Sequence, residues 1–156
     1  MKKIPVMAVG ALLASGLVSG CGGGTSAYCN EVKADAVTLT NFTSPDVRPD
    51  FAKIPAFLTD AKKLQRKSPK EVKEDWSVIT STLQSLSDGL KDAGMTFPQF
   101  ATFLATGTLP DNVTQAKTAG LALKYQQLGA DIVTKAANDI TMHAADTCKV
   151  DLTRKP

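Results

Sequence analysis

The side chains best able to do chemistry in this sequence are three thiols, Cys21, Cys29 and Cys148, and a single imidazole, His143. A thiol can carry a covalent group, join a second thiol in a disulfide, or bind a metal as a thiolate. The cysteines do not form a C-x-x-C pair, and His143 is the only histidine, so neither a redox pair nor a zinc ligand set fits the spacing. We therefore expect no metal site.

The residues before Cys21 have the layout of a secretory signal. Lys2 and Lys3 give a positive start, and an almost continuous apolar run follows from Ile4 to Val18. The run is shorter than the ~20 residues that cross a bilayer as a helix, which disfavours a permanent transmembrane segment. We therefore expect residues 1–20 to be a cleaved signal peptide.

The end of this signal, Val18-Ser19-Gly20-Cys21, resembles the lipobox of bacterial lipoproteins. The resemblance implies cleavage after Gly20 and acylation of Cys21, with chains such as palmitate, so that membrane lipid becomes a partner of the mature chain. Two or three acyl chains anchor a protein stably, at ~0.8 kcal/mol per buried methylene. Residues 21–27 would then be a lipidated cysteine and a glycine-rich tether, on the outer face of the cell membrane.

With Cys21 assigned to lipid, Cys29 and Cys148 remain as an even pair on the oxidising side of the membrane. They enclose about 120 residues, and closing so long a loop contributes ~4 to 5 kcal/mol in the chain-entropy treatment of disulfides. The sequence thus predicts a Cys29–Cys148 disulfide near the two ends of a single domain, residues 28–156.

Composition limits the partners of this domain. Without Lys2 and Lys3 the 18 basic residues fall to 16, against 15 acids, so the mature chain is almost neutral. A near-neutral exported protein is a poor match for nucleic acid, and we expect none as partner. The aromatic content of 6% suits helices better than a β-sandwich.

The strongest helical pattern lies in the middle of the chain. Ser68 is predicted as the N-cap, with Pro69 at the first helical position and Glu71 placed for a capping box. Gly94 supplies the C-terminal stop. Between these ends the apolar residues repeat at heptad-like spacing: Val72, Trp76, Ile79, Leu83, Leu86 and Leu90.

Hydrophobic periodicity predicts three further main helices, at about 27–41, 51–66 and 110–147, and a short helix at 98–105. The inward stripes are Val32, Ala36, Leu39 and Phe42; then Ile54, Phe57, Leu58, Ala61 and Leu64; and finally Leu121, Tyr125, Leu128, Ile132, Ala136, Ile140 and His143. Four main helices with modest loops predict an all-α fold, an up-down-up-down four-helix bundle with an extra short helix. An even number of helices returns the chain to its starting end, where one disulfide would close the bundle.

Four segments, YC, SPKEVKEDW, LKDAG and HAADTCKVDL, are similar to segments of small exported helical proteins of actinobacteria. The resemblance covers nearly the whole mature chain. It implies an α-helical, disulfide-closed fold on the outside of the cell. It implies no activity and carries over no functional site.

No set of residues indicates catalysis. Glu71, Glu74 and Asp75 lie in the first turns of the third main helix, where acids are favoured by the helix dipole and need no catalytic explanation. A G-x-S-x-G motif and a second histidine are both missing from the sequence. His143 is expected to be partly buried at the end of the bundle. We therefore predict a non-enzyme without cofactors.

Two surfaces are candidates for binding. Lys62, Lys63, Arg66 and Lys67 are predicted to share a face of the second helix, either as a solvated helix end or as a contact with anionic lipid or wall polymer. The second candidate is an apolar segment that either caps the core or opens as a pocket: Met95, Phe97, Phe100, Phe103 and Leu104.

The expected function is that of a membrane-anchored, non-catalytic interaction module of the cell envelope, with another envelope protein as partner. The alternative is a carrier of a small apolar ligand or lipid that uses residues 95–104 as a lid. A carrier requires a cavity beneath the phenylalanines, whereas an interaction module requires a tight core and an apolar surface patch.

Overall fold

The computed structural model describes residues 23–43 and 50–153. Over these residues the chain forms seven α-helices and no strand, so the all-α class is confirmed. The helices are α1 Gly23–Ala34, α2 Ala36–Thr43, α3 Ile54–Lys67, α4 Lys70–Ala93, α5 Phe97–Thr106, α6 Gln115–Gln127 and α7 Asp131–Asp146, and a 3₁₀ turn at Phe51–Lys53 precedes α3. The predicted signal peptide and Cys21 lie outside the described residues. Within these bounds, no helix is long and apolar enough to cross a membrane.

The central helix of the fold is α4, which contacts α3, α5, α6 and α7. Its predicted seam is buried throughout: Val72, Trp76, Ile79, Leu83, Leu86 and Leu90. Gly94 ends the helix as predicted, with a φ of 73° and its N–H bonded to the carbonyls of Leu90 and Lys91. Glycine adopts this left-handed conformation without the steric cost that a Cβ imposes.

The predicted start of α4 is wrong in detail. The N-cap is Pro69, and Ser68 instead ends α3, where its hydroxyl donates a hydrogen bond to the Gln65 carbonyl at 2.8 Å. Serine hydroxyls commonly bond a carbonyl three or four residues earlier, which here takes Ser68 away from the N–H groups of α4. No capping box with Glu71 forms, although Glu71 remains in the first turn.

Two of the predicted main helices are each divided in two. The helix expected at 27–41 is α1 and α2, separated at Asp35, and it begins earlier, so residues 23–27 of the expected tether are helical. The helix expected at 110–147 is α6 and α7, separated at residues 128–130. There the N–H groups of Leu128 and Gly129 bond carbonyls three residues back, a tighter turn that the low helix propensity of glycine favours.

This tight turn changes which residues of the last segment face the core. Leu121, Ala136 and Ile140 are buried as predicted, whereas Leu128 and His143 are half-buried. Ile132 is 63% exposed and Tyr125 is 38% exposed, so the inward orientation predicted for these two residues is wrong. An inward stripe predicted for one continuous helix no longer applies after a break, because the residues beyond the break face other directions.

In the contacts between α1–α2 and α3, residues early in one segment meet residues late in the other. Near the start of the domain, Glu31 of α1 contacts Lys63 and Lys67 at the end of α3. At the other end, Phe42 of α2 stacks on Phe57 near the start of α3, with ring centroids 4.1 Å apart. The chain therefore returns along itself between α2 and α3.

The same reversal relates α4 to its neighbours. Thr80 donates a hydrogen bond of 3.0 Å to the Gln65 side chain of α3, and Lys62, one turn earlier in α3, bonds Gln84, one turn later in α4. Lys124 of α6 donates to the Ser85 carbonyl at 3.2 Å, and Leu121, about one turn earlier in α6, lies beside Gly89, about one turn later in α4.

The predicted disulfide between Cys29 and Cys148 is confirmed. It joins α1 to the turn after α7, with the two Cα atoms 4.9 Å apart and 119 positions apart in sequence. Four residues within four positions of one of the two cysteines are buried: Tyr28, Val32, Ala144 and Leu152. The first and last described helices are thus tied covalently at one end of the domain, here called the disulfide end.

Candidate functional site

An aromatic cluster lies next to the disulfide. The Trp76 indole nitrogen donates a hydrogen bond of 3.0 Å to the Tyr28 hydroxyl, and the His143 ring meets Tyr28 edge-on, with centroids 5.6 Å apart. Burial raises the pKa of the Tyr28 phenol, Asp75 raises it further, and the hydrogen bond with Trp76 opposes both. The buried phenol, held by the indole, packs in the core with its hydroxyl hydrogen-bonded.

His143 lies half-buried beside the aromatic cluster. Its Nδ1 atom is buried and, among the described residues, has no hydrogen-bond partner. A general base requires a neighbour that orients its ring and a substrate proton within reach, and the ring instead rests against Tyr28. The contacts of His143 are those of a half-buried residue at the end of the helices.

The basic run of α3 consists of Lys62, Lys63, Arg66 and Lys67. These side chains do not form a single free face. Lys63 and Lys67 both form ion pairs with Glu31 of α1, and Lys62 bonds Gln84 of α4. Arg66 is exposed.

The ion pairs on Glu31 belong to a wider charge cluster between α1 and α3. Hydrogen bonds from Lys63 and Lys67 hold the pKa of Glu31 below its usual range, and Glu31 in turn raises the pKa of Lys63. Burial raises the pKa of Asp35, and the nearby Asp60 raises it further. One carboxylate oxygen of Asp35 is buried without a hydrogen-bond partner among the described residues. In the folded protein the charged form of Glu31 is therefore stabilised, and the charged form of Asp35 is destabilised.

A basic surface continues from α3 onto the start of α4. Lys73 lies seven residues before Thr80 and eleven before Gln84, both of which contact α3, so helical spacing places Lys73 on the α3 side of α4. Lys70 lies one turn before Lys73. We define the basic corner by four exposed residues at the α3–α4 junction: Arg66, Lys67, Lys70 and Lys73.

The apolar segment predicted as a cap or lid divides between core and surface. Met95, Phe97 and Phe100 are buried, Phe103 is half-buried, and Leu104 is 41% exposed. A capping box formed by Thr96 and Gln99 starts α5, and Gly107 ends it with a φ of 74°. The segment is a short, well-capped helix with one face in the core.

Rings from three parts of the chain meet at α5. Phe100 contacts Phe51 with centroids 5.7 Å apart, Tyr125 at 5.6 Å and Phe103 at 6.4 Å. Tyr125 is 38% exposed, and Phe51 and Phe103 are half-buried. With Leu104, the neighbour of Phe103 in α5, these residues form what we call the aromatic patch: Phe51, Phe103, Leu104 and Tyr125.

Phe51 and Tyr125 were not predicted as part of this surface. Phe51 reads as the start of a helix and Tyr125 as a core residue, because neither the 3₁₀ turn nor the break after α6 has a strong local signal. The aromatic character of both residues is the only hint that the sequence provides.

An open groove of about 650 Å³ runs along α7. It is lined by Asp131, Thr134, Lys135, Asn138, Asp139, Thr141, Met142 and Thr153. Lys135 and Asp139 form an ion pair on it, which raises the pKa of Lys135. Burial raises the pKa of Asp75, and Asp139 adds to this rise. The groove includes no residue of the apolar segment, and its lining lacks the aromatic side chains typical of small-ligand sites.

Neither metal ligands nor relatives identify an activity. In the part of the chain that the structure describes, no three His, Cys, Asp or Glu residues are grouped so that they could hold a metal ion. No match to this chain was found among protein-family models, curated proteins or solved structures. The aromatic patch and the basic corner are therefore the two surfaces on which a function can be argued.

Proposed function

We propose that this protein is a lipoprotein, anchored through an acylated Cys21 on the outer face of the cell membrane, whose helical domain binds another envelope protein without catalysis. The observation that carries the binding role is the aromatic patch. Leu104 and Tyr125 are 41% and 38% exposed, next to the buried ring of Phe100. Aromatic side chains supply much of the binding energy of protein interfaces, because they bury large areas with little loss of rotamer entropy.

The proposed arrangement of the domain is an up-down-up-down bundle of four helical units: α1 with α2, α3, α4, and α6 with α7. The reversed order of contacts between consecutive units supports it, as in the pairs Glu31–Lys67 and Phe42–Phe57. The disulfide between α1 and the end of α7 also supports it, since four antiparallel units return to their starting end.

In this arrangement the aromatic patch is presented away from the anchor. Phe51 precedes α3, and Lys67, at the other end of α3, contacts α1 near the disulfide end. A helix rises ~1.5 Å per residue, so the sixteen positions from Phe51 to Lys67 separate them by ~20 Å or more. A surface at this height is accessible to a protein that approaches from outside the membrane.

The packing of α5 favours this role over that of a carrier. Met95, Phe97 and Phe100 are core residues, and Phe100 is held between rings of the 3₁₀ turn and α6. A ligand beneath α5 would have to separate these rings, and each aromatic pair contributes ~0.5 to 1.5 kcal/mol beyond the area it buries. The exposed residues of the segment lie on its outer side, where a partner can reach them.

Site-specific photo-crosslinking in cells tests the proposal. A photoreactive amino acid placed at Leu104 or Tyr125 should give one discrete protein adduct. The matched controls are Leu123 and Met142, which are 66% and 57% exposed and lie outside the patch. Adducts of equal yield at all four positions, or none at the patch, would overturn the binding role.

Two mass measurements complete the test. The intact mature protein should carry acyl chains on Cys21, and an unmodified mass would overturn the anchor. Native mass spectrometry of the membrane-extracted protein should show the bare acylated chain. A reproducible extra mass of lipid size, lost when Phe100 is replaced by alanine, would favour the carrier instead.

A further inference from the structure

We infer that the basic corner, Arg66, Lys67, Lys70 and Lys73, rests on the anionic lipid headgroups of the membrane that holds the anchor. The inference depends on the proposed function for the acylation of Cys21. It adds a second membrane contact, which fixes how the domain stands relative to the bilayer.

The charge on this corner is only partly neutralised within the protein. Lys67 shares Glu31 with Lys63. Over the described residues, no acidic side chain lies within ion-pair distance of Arg66, Lys70 or Lys73. Three cations without an ion pair among the described residues, and one shared cation, thus lie at a single helix junction.

Two of the three acidic residues at the start of α4, Glu71 and Asp75, lie away from the α3 side, whereas the exposed Glu74 lies one turn after Lys70. The charge of Asp139 in α7 raises the pKa of Asp75. Asp75 therefore lies on the α7 side of α4, opposite the side that contacts α3. Glu71 lies four residues before Asp75 and shares that side by helical spacing. Lys73 lies instead on the side of Thr80, which contacts α3. Glu71 and Asp75 are thus separated from Lys73 across α4, and Glu74 forms no ion pair with the corner among the described residues.

The fold itself does not explain two of these cations. Arg66 and Lys67 lie in the last turn of α3, where the helix dipole favours positive charge. Lys70 and Lys73 lie in the first turn of α4, where the same dipole disfavours it. Lys70 and Lys73 also lie one turn apart on α4, which adds like-charge repulsion. An external anion would relieve both costs.

The corner lies at the level of Gly23, the first residue that the structure describes. The hydrogen bond between Trp76 and Tyr28 sets these two residues at the same height. In the proposed bundle α1 and α4 run in the same direction, so Lys70, six residues before Trp76, lies ~9 Å below it, and Gly23, five residues before Tyr28, lies ~7.5 Å below. Cys21 is two residues before Gly23.

A surface charge at this position is close enough to the membrane to contribute. Each lysine or arginine near an anionic leaflet is attracted to it, and the attraction extends about one Debye length, ~8 Å at physiological salt. An acylated Cys21 therefore brings the corner within the range of anionic headgroups. Contact there holds the domain upright, with the aromatic patch directed outward.

The test uses the acylated full-length mature protein, reconstituted into vesicles of phosphatidylcholine alone or with phosphatidylglycerol. Brief acetylation followed by peptide mass spectrometry measures the access of reagent to each lysine. We expect Lys70 and Lys73 to react at least ~3-fold more slowly on the anionic vesicles, and high salt to abolish the difference by screening. Lys91 and Lys117, exposed residues elsewhere on the domain, are the internal controls and should react equally on both.

The outcomes separate the two proposals. Equal reaction rates of Lys70 and Lys73 on both kinds of vesicle would overturn the inference, while the intact mass still reports whether Cys21 is acylated. An unacylated Cys21 would overturn the proposed anchor and the inference with it. Equal protection by soluble polyphosphate on neutral vesicles would replace lipid by an anionic wall polymer and overturn the assignment made here.

Discussion

The Trp76 indole nitrogen donates its hydrogen bond to the hydroxyl of Tyr28, a residue 48 positions earlier, at a distance of 3.0 Å. Tyr28 and Trp76 are 0% and 1% exposed. Because water cannot replace either partner at such a site, each polar group depends on the other. This bond and the Cys29–Cys148 disulfide hold α1 to the remainder of the domain through adjacent residues.

Tyr28→Phe should lower the free energy of unfolding by ~1 to 3 kcal/mol, because it leaves the buried Trp76 N–H without an acceptor. Urea unfolding followed by far-UV circular dichroism measures the change. Tyr125→Phe removes the same hydroxyl from a residue that is 38% exposed, and its unfolding midpoint should match that of the wild type. An equal effect of the two substitutions would show that the Tyr28 hydroxyl is not specifically required.

The disulfide should be the largest single contribution to stability. Cys29→Ser combined with Cys148→Ser should lower the free energy of unfolding by ~4 to 5 kcal/mol, since the disulfide restricts a long loop of the unfolded chain. The measurement is urea unfolding of the oxidised wild type, of the reduced wild type and of the double variant. The last two should coincide, and a double variant as stable as the oxidised wild type would contradict the prediction.

The helices that the sequence predicts best are those whose signals are local. The seam of α4 repeats apolar residues over its whole length, and Gly94 stops it by a conformation that only glycine adopts easily. The five inward residues predicted in α3 are all buried for the same reason: Ile54, Phe57, Leu58, Ala61 and Leu64. The disulfide was predictable from the number of cysteines and from the oxidising compartment that the signal-like start of the sequence indicates.

The features that the sequence did not predict depend on distant parts of the chain. The division between α6 and α7 has only Gly129 as a local signal, and an isolated glycine is often tolerated inside a helix. The aromatic patch requires Phe51 and Tyr125 to meet at α5, which is a property of the packing. The basic corner likewise depends on which side of α4 contacts α3.

The charge cluster between α1 and α3 should give two opposite dependences on pH. Burial raises the pKa of Asp35 in the folded state, so folding favours its protonated form. Its contribution to stability is most favourable at pH below its ordinary pKa and is lost as the pH rises through the raised value. Asp35→Asn should therefore raise the melting temperature at pH 7, by a few degrees, and the gain should vanish towards pH 3.

Glu31→Gln should do the reverse. Lys63 and Lys67 lower the pKa of Glu31 in the folded state, so its contribution is present above its ordinary pKa and is lost as the pH falls through the lowered value. The variant should melt below the wild type at pH 7, and the two should converge in acid. Melting curves of both variants from pH 3 to pH 8 measure this, and parallel curves for either variant would rule out an electrostatic origin.

Two glycines on facing helices should respond differently to alanine. Gly120, an exposed residue inside α6, has open space where a Cβ would lie, so Gly120→Ala should stabilise the protein by ~0.5 to 1 kcal/mol through helix propensity. At Gly89 of α4, a Cβ would lie 2.5 Å from Cδ of Lys124, the side chain whose ammonium bonds the Ser85 carbonyl. Gly89→Ala has the same propensity gain, but it must displace the Lys124 side chain and its bond to Ser85, so we expect little or no net stabilisation. Urea unfolding of the two variants compares them directly, and an equal gain at both positions would mean that the Lys124 contact with Ser85 contributes nothing to stability.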